Sequence, residues 1–432
     1  MPSSLALTRD DDAVTAFLKR VDDAISRVQS LPDATRRAIF VEFCPDRIRA
    51  DAQKLAARHR AGDDMPLFGI LIAIKDMFDE TGQITGAGSV LLHRERAPAG
   101  DDCAIIKRLR DAGALPFGRN TQSELAYSCL GVNDTYGTAS SALMEGVIPG
   151  GSSSGSGVTV GLGLTDAALV TDTGGSARIP ATINGVWGYK FSQGLMDTDG
   201  IQPLAASYDS PGVIARNGAI LQRIAAVLMD RPPSDAPARL NIAVPDGAMT
   251  DNLTPDIQAM FNAELDRLRA AGHILTTVDC HAMSAAIWIT AAIVSQEMNQ
   301  SFADYRDPLL EQGQDPVRDI LQFSSFLPPV QLQVAQIHRQ QFTVEFDTMM
   351  QGYDAMLIPA LMALPPMIEQ ARADFVNLSS PIIRNASFAN MLDACAVVLP
   401  TPGAVPAWSM TMLMGRKNTD AALIAAARQI AG

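Results

Sequence analysis

At 432 residues the chain can hold one large α/β unit or two ordinary ones, and its 47% apolar against 19% charged residues exclude a disordered or fibrous class. A formal net charge of −13, with an isoelectric point near 4.8, gives no electrostatic footprint for nucleic acid or an anionic membrane. The five cysteines form no Cys-x-x-Cys and none of the five histidines has ligand spacing to a cysteine, which argues against a disulfide scaffold, a metal site or a metal cofactor.

The first residues have neither the charged region nor the sustained apolar run of a signal peptide. The longest apolar run, about Ala285 to Val294, is too short to span a bilayer. The expectation is a cytoplasmic protein with reduced thiols, no membrane contact and no direct contact with nucleic acid.

In chain order, residues 11–29 and 46–60 read as amphipathic helices. Phe68 to Ile74 is an apolar run between Pro66 and Asp76, which predicts a buried strand ending at Lys75. Asp101 to Ala112 predicts a helix, with acids at its start and Gly113 beyond its end. Ala167 to Val170 is a short strand that leads into the turn Thr171–Ser176, and Ile179-Pro180-Ala181 suits the opening of a helix. Arg231 to Pro237, with three prolines, is the clearest linker. After it, Leu240 to Val244 and Ile274 to Val278 read as strands. The helix between them has Thr254 as N-cap, Pro255 at its first position, one apolar face (Ile257, Met260, Phe261, Leu265, Leu268) and Gly272 at its end. That βαβ unit is expected to join the same sheet or a subdomain packed on it. Met356–Pro359, Val397–Leu399 and Met410–Met414 are further apolar runs, and 419–430 is the last helix.

Three features carry chemistry: Lys75, Ser152 in Gly150-Gly151-Ser152-Ser153-Ser154-Gly155-Ser156, and Ser176 in Thr171-Asp172-Thr173-Gly174-Gly175-Ser176, twenty-four residues after Ser152. The first Gly/Ser stretch alone reads as a linker or tight loop. It lacks the Gly-Lys-Ser/Thr ending of a phosphate-binding loop, and its apolar surroundings favour a rigid loop wrapped around a site. Thr173, Gly174 and Gly175 put backbone N–H groups beside a hydroxyl nucleophile, as an oxyanion hole requires.

No histidine lies between His93 and His273, so no imidazole stands in a recognisable catalytic context. Lys75 is the alternative base. Burial lowers an ammonium pKa, and a drop from ~10.4 to roughly 7–8 corresponds to about 4 kcal/mol against the charged form. The competing reading is a structural ion pair of Lys75 with Asp76 or Asp79. Ser153 and Asp172 are candidate loop supports, Arg178 a fold brace or a partner for a substrate carboxylate, and Tyr127, Trp187 and the C-terminal methionines candidate pocket walls.

Together and in this order, these elements resemble the amidase signature family of serine hydrolases. The resemblance runs from Phe68-Gly69-Ile70-Leu71-Ile72-Ala73-Ile74-Lys75-Asp76 through Gly86-Ala87-Gly88-Ser89, Gly118-Arg119-Asn120-Thr121, Ser123-Glu124-Leu125-Ala126 and Tyr136-Gly137-Thr138 to Gly150–Gly188. It is strong over about residues 66–220 and thin afterwards. Departures are Gly188-Tyr189-Lys190-Phe191-Ser192, Val158-Thr159-Val160 and Ala404-Val405-Pro406-Ala407-Trp408.

The resemblance implies a single α/β/α domain with a mixed central sheet covered by helices: N-terminal helices over about 1–65, a signature core over about 66–220 and a C-terminal part over about 240–432. It also implies Lys75 as base, Ser152 in a cis peptide as relay, and Ser176 as nucleophile forming an acyl-enzyme with a small amide. No cofactor is implied, and a homodimer is compatible. The alternatives are a glutaminase-type component of an amidotransferase complex and an inactive binding member of the family.

Overall fold

The computed structural model describes residues 4–401 and 406–432, with side chains from residue 11 onward. Eleven strands form one sheet: β1 (Phe40–Glu42), β2 (Leu71–Lys75), β3 (Leu115–Asn120), β4 (Ala167–Asp172), β5 (Trp187–Lys190), β6 (Ser210–Ala215), β7 (Asn241–Asp246), β8 (Ile274–Asp279), β9 (Ala355–Pro359), β10 (Cys395–Leu399) and β11 (Thr411–Gly415). Their spatial order is β1-β3-β2-β4-β6-β5-β10-β11-β9-β7-β8. β2 is parallel to β3 and β4, and β7 is parallel to β8 and β9. The other neighbours are antiparallel, so the sheet is mixed.

Successive strand residues point to opposite faces, and both faces are buried here. Ile72, Ile74, Leu169, Val213, Val397 and Leu413 join one apolar cluster. Ala73, Ala168, Val170, Ile214, Val398 and Met412 join the other. This is why the strands read as unbroken apolar runs rather than as alternating ones. Helices Ala104–Asp111, Gly218–Met229 and Asp420–Ala431 cover the first face, while Arg178–Ile183 and Phe375–Met391 cover the second. A third cluster joins the N-terminal helices Ser4–Gln29 and Pro45–Arg60 to β1 and β3.

Most expected elements are present, with shifted ends. β2 starts at Leu71 rather than Phe68, because residues 66–69 form a turn and the Asp166 carboxylate accepts the Leu71 N–H at 2.9 Å. The helix expected from Asp101 starts at Ala104; Asp102 instead accepts the Thr81 N–H and pairs with Arg110. The linker over 231–237 has no regular structure. The βαβ unit after it belongs to the same sheet through β7 and β8, and its helix is Pro255–Ala270.

The Gly/Ser stretch is a buried bend only to Ser153, and the helix Ser154–Gly161 begins inside it. Ala404 and Val405, where the sequence departs from the family pattern, lie outside the described residues. No helix among the described residues is long and apolar enough to cross a membrane.

This topology positions the chemistry. β2, β3 and β4 are parallel, so their carboxyl ends, at Lys75, Asn120 and Asp172, fall on one edge of the sheet. Open α/β sheets commonly bind ligands outside such ends. Alternation places Lys75 on the side of Ala73, where the second cluster holds Ala177 and Ile179.

Candidate active site

Lys75 is fully buried. Its Nζ lies 2.7 Å from Ser152 Oγ and 2.9 Å from Thr171 Oγ1, with the Thr171 carbonyl at 3.5 Å. No acid pairs with it among the described residues. Asp76 is turned to Arg119 and to the N–H groups of Gly86 and Gly88, and Asp79 accepts from Thr85 Oγ1. The ion-pair reading of Lys75 therefore does not hold. Burial pulls its pKa from 10.5 down to about 7, against the opposing charges of Asp172 and Asp209. A large share of this amine is neutral near neutral pH.

Ser152 sits at the cis peptide Gly151–Ser152. Only glycine fits before it: a Cβ on Gly151 would meet Ser128 O at 2.3 Å and Gly131 N at 2.6 Å. The Ser152 carbonyl accepts the N–H groups of Ser123 and Ser154, which ties the Gly/Ser bend to the segment after β3. The hydroxyl of Ser153 has no partner, so the support expected from it comes from its backbone carbonyl, bonded to Gly157 N at 3.0 Å.

Asp172 organises the second turn. Its carboxylate accepts from Gly175 N at 2.9 Å, Ala177 N at 3.0 Å, Arg178 Nη2 at 2.9 Å and Asn390 Nδ2 at 3.0 Å. Burial alone would raise its pKa, but the Arg178 charge and hydrogen bonds, Lys190 and the Ala177 amide outweigh it and bring the group to about 2. Gly175 has φ +122, and a Cβ there would meet Ala386 Cβ at 2.5 Å.

An oxyanion hole was expected from the N–H groups of Thr173, Gly174 and Gly175. The Gly175 N–H already serves the Asp172 carboxylate, so it is not free. Among the described residues, the N–H groups of Thr173, Gly174 and Ser176 have no acceptor. Arg178 proves to be a brace: fully buried, it bonds Asp172, the Ala386 carbonyl and Asn390 Oδ1. It is not placed to meet a substrate carboxylate.

Ser176, only 8% exposed, lines a cavity of about 420 Å³ together with Thr173, Gly174 and Tyr127. No hydrogen bond joins Ser152 to Ser176, so the structure links Lys75 to Ser152 and places Ser176 at the cavity wall without closing the chain between the serines. Trp187 and the methionines Met362, Met367, Met391, Met410, Met412 and Met414 do not line this cavity. Met391, Met410, Met412 and Met414 are core filler.

Sequence reasoning passed over Thr171, Asn390 and Asp209. Thr171 stood in the same motif as Asp172. Asn390, on the helix Phe375–Met391, carried no signal at all. Asp209 accepts from Thr173 Oγ1 and from the N–H groups of Leu204 and Ala205. Burial raises its pKa to about 6 despite those bonds and the nearby Lys75.

A family model described as Amidase matches residues 12–405 of the chain. Amidase 1 of Oryza sativa subsp. japonica is 26% identical over 364 residues, which cover 78% of this chain and 84% of that protein. A 2-amino-5-chloromuconic acid deaminase of Comamonas testosteroni is 28% identical over 355 residues, 78% of this chain and 76% of that one. A crystal structure of an amidase superposes with a TM-score of 0.87 over 98% of each chain at 24% identity, a likeness of fold.

Proposed function

Since the chain belongs to the amidase family and is an amide-hydrolysing enzyme, we propose that Ser176 is its nucleophile, Ser152 its proton relay and Lys75 its base. The contact that carries this reading is Lys75 Nζ to Ser152 Oγ at 2.7 Å, in a pocket where no acid is hydrogen-bonded to the amine and burial outweighs the more distant Asp172 and Asp209 charges.

Neutral Lys75 takes the Ser152 hydroxyl proton while Ser152 takes that of Ser176, and Ser176 Oγ bonds to the amide carbon. The carbonyl electron pair moves to oxygen, where the unpaired N–H groups of Thr173, Gly174 and Ser176 stabilise it. As the oxyanion collapses, the proton on Lys75 returns through Ser152 to the leaving nitrogen, and the C–N bond breaks. Water then attacks the acyl-enzyme by the same relay and frees the acid. Asp172 and Arg178 do not line the cavity; they fix the turn that presents these N–H groups.

A fluorophosphonate probe tests the nucleophile. Labelling is expected on Ser176, and Ser176→Ala should abolish it and lower amide turnover by about 10⁴-fold or more. Labelling that maps to another residue, or turnover that survives the substitution, would remove Ser176 from this role.

A further inference from the structure

The cavity beside Ser176 is walled mainly by Ile179, Leu204, Ile320, Phe323, Phe375 and Ile383. Its polar groups are mostly uncharged hydroxyls, among them Tyr127, Thr290 and Ser380. Burial raises the Tyr127 phenol well above its usual range and the Cys129 thiol to about 12, so both stay neutral donors at physiological pH. The buried basic side chains of the site have other partners: Lys75 faces Ser152 and Thr171, and Arg178 is engaged by Asp172, Ala386 and Asn390.

Among the described residues the cavity wall has one charged side chain, Asp319, and it is acidic. Residues 402–405 are Pro-Gly-Ala-Val and contain no ionisable side chain. A carboxylate entering with the acyl group would thus lose water without gaining a cation from the described wall, and the charge it would face there is the exposed Asp319 carboxylate. An apolar acyl group displaces water from an apolar wall and meets no such penalty.

We propose that this site is selective for amides whose acyl group is apolar and uncharged, an aryl or branched alkyl carboxamide, and that it discriminates against acyl groups bearing a carboxylate, free glutamine included. The inference rests on Ser176 as the reacting centre but reads a different property, the charge of the wall. It bears on the glutaminase-type alternative, because the α-carboxylate of glutamine meets no cation in the described wall and only its α-ammonium has an opposite charge, Asp319, to face.

The test compares 4-methylbenzamide with 4-carbamoylbenzoate, which match in shape and differ in charge, with L-glutamine as a third substrate. The expected result is a kcat/KM for 4-methylbenzamide at least about tenfold above the other two. Equal or faster turnover of 4-carbamoylbenzoate or glutamine would overturn the substrate class and leave the nucleophile standing. Calorimetric binding of the same compounds to Ser176→Ala reads the wall without catalysis. A preference there of about tenfold for 4-methylbenzamide supports the proposal even if Ser176 fails the labelling experiment, and equal or inverted affinities overturn it.

Discussion

Two lysines are fully buried in this sheet, and their surroundings differ in kind. Lys75 ends β2 at the edge where the Gly-rich turns meet, and its amine faces the hydroxyls of Ser152 and Thr171. Lys190 ends β5, and its amine donates to two backbone carbonyls, Phe191 O at 3.0 Å and Ala394 O at 2.9 Å. Burial lowers both pKa values, to about 7 for Lys75 and about 8 for Lys190. A desolvated amine is therefore not yet a base. Carbonyls only accept protons in hydrogen bonds, so Lys190 can serve as a donor and nothing more. A hydroxyl can give its proton up, and that makes Lys75 fit for transfer.

The contrast is broken most directly by removing each amine in turn. Lys75→Met should lower kcat/KM by about 10²–10⁴-fold. With Lys75 as the proposed base, kcat/KM of the intact enzyme should rise with pH through about 7, because an amine acts as a base only when neutral and burial brings this one there from 10.5. An acid limb near pH 10 would show that Lys75 keeps its proton and would end the distinction.

Lys190→Met should leave the position of that limb in place. It removes the donor from two buried carbonyls, which should lower unfolding stability by about 1–3 kcal/mol in a urea titration. A Lys190→Met enzyme that lost the limb would make the two sites equivalent.

The smallest effect is expected at Asp209, whose charge favours the protonated form of Lys75. In Asp209→Asn the charge is gone, and the single side-chain carbonyl can accept either from Thr173 Oγ1 or from the Leu204 and Ala205 N–H groups but not from both. The pKa of Lys75 then falls and the acid limb moves to lower pH. A shift to higher pH would contradict the sign of the interaction.

Much of the sheet was legible because β2, β4 and β9 to β11 are buried on both faces and so appear as apolar runs bounded by turn residues. Strand ends were less legible: Leu71 begins β2 because Asp166, almost a hundred positions later, accepts its N–H. The two glycine turns announced themselves through local backbone demands, and Lys75 through its place at the end of an apolar run.

The rest came from distance in the chain. Arg178 and Gly175 are fixed by Asp172 and by Asn390, more than two hundred residues away, and local reading left Arg178 open between brace and ligand. The cavity wall combines side chains from residues near 130, 180, 290, 320 and 380, none of which has a local pattern that marks it as lining. Turn chemistry and strand burial act over a few neighbouring positions, so local pattern sufficed to name the residue types at the sheet edge. Which of them pair, and what charge faces the cavity, follows from hydrogen bonds and desolvation, and these depend on spatial neighbours that the fold brings in from afar.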